Sequence, residues 1–162
     1  MTKGVGVVLA PPRWLRVRTL AAARTHGEND RVTDVPVADT PDGIRVLIVD
    51  DQAPFRRAAR AVVLATPGFE VVGEAESGED AVVLASDLDP AVVLMDINLP
   101  GINGIEATRR ITAAHPDVVT VLLSTYREED LPPGAADCGA VAYVNKEEFG
   151  PGVLLAHRPD GH

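Results

Sequence analysis

The chain has 162 residues, 46% of them apolar and only 4% aromatic, enough for one domain with an aliphatic core. Its formal net charge is −9, and from Gly43 onward 9 basic stand against 19 acidic residues, a balance that disfavours a nucleic-acid-binding face. The single cysteine, Cys138, permits no internal disulfide and suits a reducing, cytoplasmic setting, and no apolar run reaches the ~20 residues that span a bilayer.

Residues 1–42 hold no sustained helical or strand period. Lys3, Arg13, Arg16, Arg18 and Arg24 make the start basic, and the stretch before Gly43 is polar with Pro36 and Pro41. A disordered extension is expected there. The alternative is a start codon assigned too far upstream, and a functional basic arm is the minority reading. Gly4 to Ala10 is apolar behind Lys3, but its shortness and the Pro11-Pro12 that follows count against a signal peptide.

From Ile44 strand and helix patterns alternate. Ile44 to Val49 is an apolar run ending in Asp50-Asp51. Pro54 suits a first helical position, and Phe55, Ala58, Ala59, Val62 and Val63 form a stripe that Pro67-Gly68 stops. Phe69 to Ala75 is the second strand. Ser77, with an acid three residues on, opens a helix through about Ser86.

Ala91 to Asp96 reads as a central strand buried on both faces, followed at once by a Pro/Gly loop. Asn103 is placed to cap a third helix with Ile105, Thr108 and Ile111 on one face. Val118 to Ser124 is the fourth strand and Val141 to Val144 the fifth. Between them Leu131-Pro132-Pro133-Gly134 cannot continue a regular helix, so the fourth helix is expected to be disrupted and poorly held. Gly150-Pro151-Gly152 delays the fifth helix to about residues 151–157, leaving 158–162 as a tail. The pattern predicts an α/β fold, a doubly wound five-stranded parallel sheet with helices on both faces.

Asp50, Asp51 and Asp96 would then meet at the carboxyl edge of that sheet, where open α/β folds build ligand sites. Two carboxylates about 4 Å apart repel by roughly 4 kcal/mol at an effective dielectric near 20, so three together call for a cation. Oxygen ligands favour Mg²⁺, which keeps waters and a ligand phosphate around it. Taken alone, Asp50-Asp51 could simply cap the first helix. The spacing is more specific: Asp96 lies 45 residues after Asp51, Ser124 ends the next strand, and Lys146 follows the last.

These pieces resemble the receiver domain of bacterial two-component response regulators. The resemblance rests on Val46 to Asp51, Met95 to Ala107, Leu122 to Thr125 and Gly139 to Lys146, and covers residues 43–157. It implies a flavodoxin-like strand order 2-1-3-4-5 and a phosphorelay role in the cytoplasm. Asp96 would be the phosphoacceptor, with a sensor histidine kinase or a phosphotransfer protein as donor. Mg²⁺ would be held by Asp51, Asp96 and the Asn98 backbone carbonyl, with Asp50 acting mainly through water. Lys146 and Ser124 would bind the phosphoryl group, and Ser124 with Tyr143 would form the switch.

Thr125 and Tyr126 border access to the site, and Thr125 stands where the family usually has a very small residue. Glu147 follows Lys146 where many receivers have proline. The resemblance implies self-catalysed phosphorylation and dephosphorylation rather than an enzyme acting on other substrates. The chain reads as a stand-alone receiver that signals to an unknown downstream protein through its fourth helix, fifth strand and fifth helix, without nucleic acid or membrane. A receiver-like module that is not phosphorylated is the runner-up.

Other readings fit less well. A haloacid-dehalogenase-like phosphatase needs a second aspartate as general acid two residues after its nucleophile, and that position is Asn98. A flavodoxin-like cofactor binder needs a hydroxyl- and Gly-rich loop, whereas Asp50-Asp51-Gln52-Ala53-Pro54 repels phosphate. His26, His115, His157 and His162 show no ligand spacing and are expected on the solvated surface. Cys138 is expected as a small buried hydrophobe.

Overall fold

The computed structural model describes residues 43–159. The expected N-terminal extension, residues 1–42, and the last three residues lie outside that range. β1 (Ile44–Val49), β2 (Phe69–Ala75), β3 (Val92–Asp96), β4 (Val119–Ser124) and β5 (Ala142–Asn145) form one sheet of order β2-β1-β3-β4-β5. All four pairings are parallel. The helices are α1 (Ala53–Ala65), α2 (Gly78–Leu88), α3 (Gly104–Ala114) and α4 (Pro151–Ala156). The predicted sheet and strand order are therefore observed. Among the described residues no helix is long and apolar enough to cross a membrane.

The continuous apolar runs of the sequence reflect burial on both faces, because alternate side chains of one strand point to opposite layers. Val46 and Ile48 of β1, Leu94 of β3 and Leu123 of β4 face one layer with Ala59 and Val63 of α1 and Leu154 of α4. Leu47, Val49, Val93, Met95 and Leu122 face the other, with Ala81 and Ala85 of α2 and Ile105 and Ile111 of α3. Two sealed layers hold the strand ends in fixed relative positions, which the site requires.

The predicted caps form. The Ser77 hydroxyl accepts from the Asp80 N–H at 3.1 Å, and the Asn103 amide oxygen accepts from the Glu106 N–H at 2.9 Å. α2 runs two residues past the expected Ser86, ending where Asp89 takes a left-handed conformation with φ 50°.

Between β4 and β5 the described residues hold no α-helix, only a 3₁₀ turn at Glu128–Asp130 followed by further turns. The disruption expected from Pro132-Pro133-Gly134 is thus complete. Residues 125–130 are exposed, whereas the second half of the connection is packed. Ala135 and Cys138 are buried, the Thr112 hydroxyl donates to the Cys138 carbonyl at 3.1 Å, and Gly139 at φ +100° passes directly over Thr112. Proline removes two helical donors, and contacts with α3 hold the non-helical chain near Cys138 instead. Cys138 is the buried hydrophobe expected, whereas His115 and His157 are half-buried rather than solvated. Their rings hydrogen-bond to the Ser86 hydroxyl at 3.2 Å and the Val153 carbonyl at 2.9 Å.

Candidate functional site

Val49 of β1 pairs with Met95 of β3, so the next residues, Asp50 and Asp96, leave adjacent strands side by side. Both are buried, at 0% and 3% exposure, whereas Asp51 is open to solvent. One carboxylate oxygen from each of the three lies within 4.8 Å of the others. On the far side Ser124 pairs with Asn145 across β4 and β5, and Lys146 follows directly. The Lys146 Nζ sits 2.6 Å from Asp50 Oδ2 and 3.4 Å from Asp96 Oδ2. All five chemically competent positions read from the sequence are therefore brought to one edge.

Each buried acid is held at both oxygens. Asp50 Oδ1 accepts from the Gln52 N–H at 2.8 Å, and Asp96 Oδ1 accepts from the Asn98 N–H at 3.3 Å, leaving the Oδ2 atoms to Lys146. Three carboxylates face one ammonium, so the donor set has oxygen ligands and negative charge to spare. That suits a hard divalent cation such as Mg²⁺. The Asp51 carboxylate makes no hydrogen bond or ion pair to the described residues, which leaves it available as a ligand.

Several supporting residues carried no sequence signal. Arg56 of α1 donates to the Asp50 carbonyl at 2.7 Å and pairs with Glu76 at 2.9 Å, tying the Asp50 backbone to the end of β2. The Phe55 ring centroid lies 4.6 Å from the Lys146 Nζ, and Phe149 packs at 6.3 Å from Phe55. These partners are distant in sequence and no fixed spacing links them.

The Ser124 hydroxyl is fully buried, accepts from the Tyr126 N–H at 3.1 Å and also hydrogen-bonds with the Tyr143 side chain. Thr125 and Tyr126 are exposed at the rim, and the Tyr126 hydroxyl reaches Asn98 Oδ1 at 3.5 Å. The Tyr126 carbonyl in turn accepts from the Tyr143 hydroxyl and from the Asn145 amide. Tyr143 is half-buried against the layer containing Leu122, and that burial raises its pKa. Ser124 and Tyr143 thus meet directly and also share the backbone of Tyr126, whose part in the link sequence spacing did not reveal.

Burial, reinforced by the Asp50 carboxylate, lifts the Asp96 pKa to about 6 despite the opposing pull of Lys146. A carboxyl with a raised folded-state pKa destabilises the fold once it ionises. Its contribution is most favourable below the ordinary value of 3.8 and is lost as pH rises through about 6. Denaturant unfolding of the metal-free protein should therefore give a stability about 1 kcal/mol higher at pH 5 than at pH 7 from this group. The same pair of measurements on Asp96→Asn should lack that increment. An unchanged difference in the variant would remove Asp96 as its source.

The response regulator receiver domain model matches residues 46–157. The response regulator GacA of Pseudomonas protegens is 42% identical over 103 residues, covering 64% of this chain and 48% of that protein. The transcriptional regulatory protein DegU of Brevibacillus brevis is 40% identical over 104 residues, covering 64% and 44%. The chain thus spans about half the length of these relatives. The response regulator domain of Thermotoga maritima CheB superimposes with TM-score 0.64 at 32% identity, covering 72% of this chain and 94% of that one. The signal receiver domain of the NarL regulator of Mycobacterium tuberculosis gives TM-score 0.66 at 25% identity, covering 72% and 96%. The family model covers more than half of the chain, including all of these acids, Ser124 and Lys146, and the chain belongs to the response regulator receiver domain family of two-component signalling.

Proposed function

We propose that Asp96 accepts a phosphoryl group from a phosphohistidine on a sensor histidine kinase or a phosphotransfer protein. The observation that carries this reading is the convergence of Asp50, Asp51 and Asp96 with Lys146. A carboxylate oxygen of Asp96 forms the new P–O bond while the P–N bond breaks, and its electron pair returns to the imidazole. Asp51, Asp96 and the Asn98 carbonyl would hold Mg²⁺, with Asp50 contributing mainly through water. When bound, the ion offsets charge on the phosphoryl oxygens in transfer.

Lys146 supplies a point charge to a phosphoryl oxygen, and the Ser124 hydroxyl donates to another. Thr125 and Tyr126 limit access from the rim. The chemistry ends with the protein's own phosphorylation and dephosphorylation, so no second substrate is turned over. The signal then passes to another protein through the surface around Tyr126, Tyr143 and β5, a reading supported by the strongly acidic balance after Gly43. A second reading, transcriptional output, is favoured by the name of the DegU relative.

The test is incubation of the full chain with acetyl phosphate, with Mg²⁺ or with excess chelator, followed by intact-mass measurement. A phosphoryl adduct that requires Mg²⁺ is expected. Absence of any adduct would favour a receiver-like module that works unphosphorylated, and tight sequence-specific DNA binding by the chain would favour the transcriptional reading.

A further inference from the structure

The loop that follows Asp96 is fastened on three sides. Toward β4, the Ile97 N–H donates to the Leu123 carbonyl at 3.1 Å. Toward α3, the Gly104 N–H donates to the Ile97 carbonyl at 2.9 Å. The third side is the first turn of α2, more than twenty residues away in sequence. There the Glu79 carboxylate accepts from the Ile102 N–H at 2.9 Å.

Two glycines shape this seat. Gly101 holds φ +74°, and a Cβ on it would fall 2.3 Å from Glu79 Oε1, so the carboxylate occupies the space a side chain would take. Gly78 lets the Ile102 carbonyl come so near that a Cβ there would lie 2.5 Å from it. The Ile102 side chain packs against the layer containing Ala81 and Ile105. The hydrogen bond from Ile102 and the nearby Arg110 hold the Glu79 carboxyl below its ordinary range, so it is ionised and a strong acceptor at neutral pH.

We propose that Glu79 is a positioning residue for the metal site, fixing from α2 the loop that carries the Asn98 carbonyl. This rests on the reading that Asn98 and the aspartates hold Mg²⁺. Asn98 is exposed and lies between Asp96 and the clamped Ile102. With the Ile102 hydrogen bond lost, the loop would keep the Asn98 N–H bond to Asp96 and the packing of Leu99 and Ile102, but its tie to α2 would be gone and the carbonyl would be less well ordered before the ion binds. Ordering deferred to the binding step lowers affinity. Outer partners that orient ligands act on metal affinity in the same way.

The test is Mg²⁺ titration by calorimetry on the full chain, alongside amide hydrogen exchange over residues 98–103 in metal-free protein. Glu79→Ala should weaken Mg²⁺ binding about threefold to tenfold and speed exchange in that window. Glu79→Gln retains a carbonyl acceptor for the Ile102 N–H and should stay closer to wild type in both measurements. A purely structural role would lower the melting temperature and leave Mg²⁺ affinity unchanged. That result, or a Gln variant as weak as the Ala variant, would overturn the positioning role. Failure of the wild-type chain to bind Mg²⁺ would instead overturn the metal-site reading, which Asp51→Asn tests separately by removing a direct ligand.

Discussion

Asp96→Asn should cut acetyl phosphate labelling by roughly a hundredfold or more, because the carboxamide has no anionic oxygen to attack phosphorus. The variant should still fold. Its amide oxygen can accept the Asn98 N–H now bound by Asp96 Oδ1, and Lys146 keeps Asp50 as partner at 2.6 Å. At pH 7 its metal-free stability should equal or exceed that of wild type, since ionisation of Asp96 is opposed by its burial and by Asp50. Labelling and stability are thus expected to move independently. Intact-mass measurement with peptide mapping reads the first, and urea unfolding reads the second. An adduct of undiminished yield in the variant would reassign the acceptor to Asp50 or Asp51.

Gly104→Ala should be the most damaging single methyl addition at the site. Gly104 begins α3, and a Cβ on it would lie 2.0 Å from the Asp96 carbonyl oxygen, 2.8 Å from its carbon and 2.9 Å from Ile97 Cα. All three are backbone atoms, so no side chain can swing aside. Either α3 must retreat from the sheet or the strand end carrying the phosphoacceptor must shift. Overpacking a buried position with this little relief is expected to cost about 3 kcal/mol or more. Labelling should fall with it, because two of the three crowded atoms belong to Asp96 itself. Gly152→Ala in α4 is the matched control, with nothing within 4 Å of the added atom. It should stabilise slightly, by up to about 1 kcal/mol, through helix propensity alone. Urea midpoints compare the two, and a Gly104→Ala protein within about 0.5 kcal/mol of wild type would contradict the close approach.

The β4–β5 connection shows how far a local rule reaches. Pro132-Pro133-Gly134 forbids a helix on local grounds, and none forms among the described residues. Whether the non-helical chain would lie loose or packed was not a local matter. Thr112 supplies the answer through its bond to the Cys138 carbonyl, from a helix 26 residues back. The surface proposed for output accordingly lacks the fourth helix expected of it. It is built instead around Tyr126, whose carbonyl receives both Tyr143 and Asn145.

By itself the sequence determined the sheet, its carboxyl edge and the acids upon it. Apolar runs bounded by breakers encode doubly buried strands, and residues that end parallel strands must share an edge. The caps at Ser77 and Asn103 were equally legible, since a cap joins residues two or three positions apart. Only the tertiary structure decided what surrounds those acids. That Lys146 lies nearer Asp50 than Asp96, that Phe55 flanks its ammonium, that Arg56 fastens the Asp50 backbone and that Glu79 grips Ile102 all depend on packing between separate elements. Such contacts have no period and no spacing, because their distances in space are set by how helices seat on the twisted sheet and not by their distances along the chain.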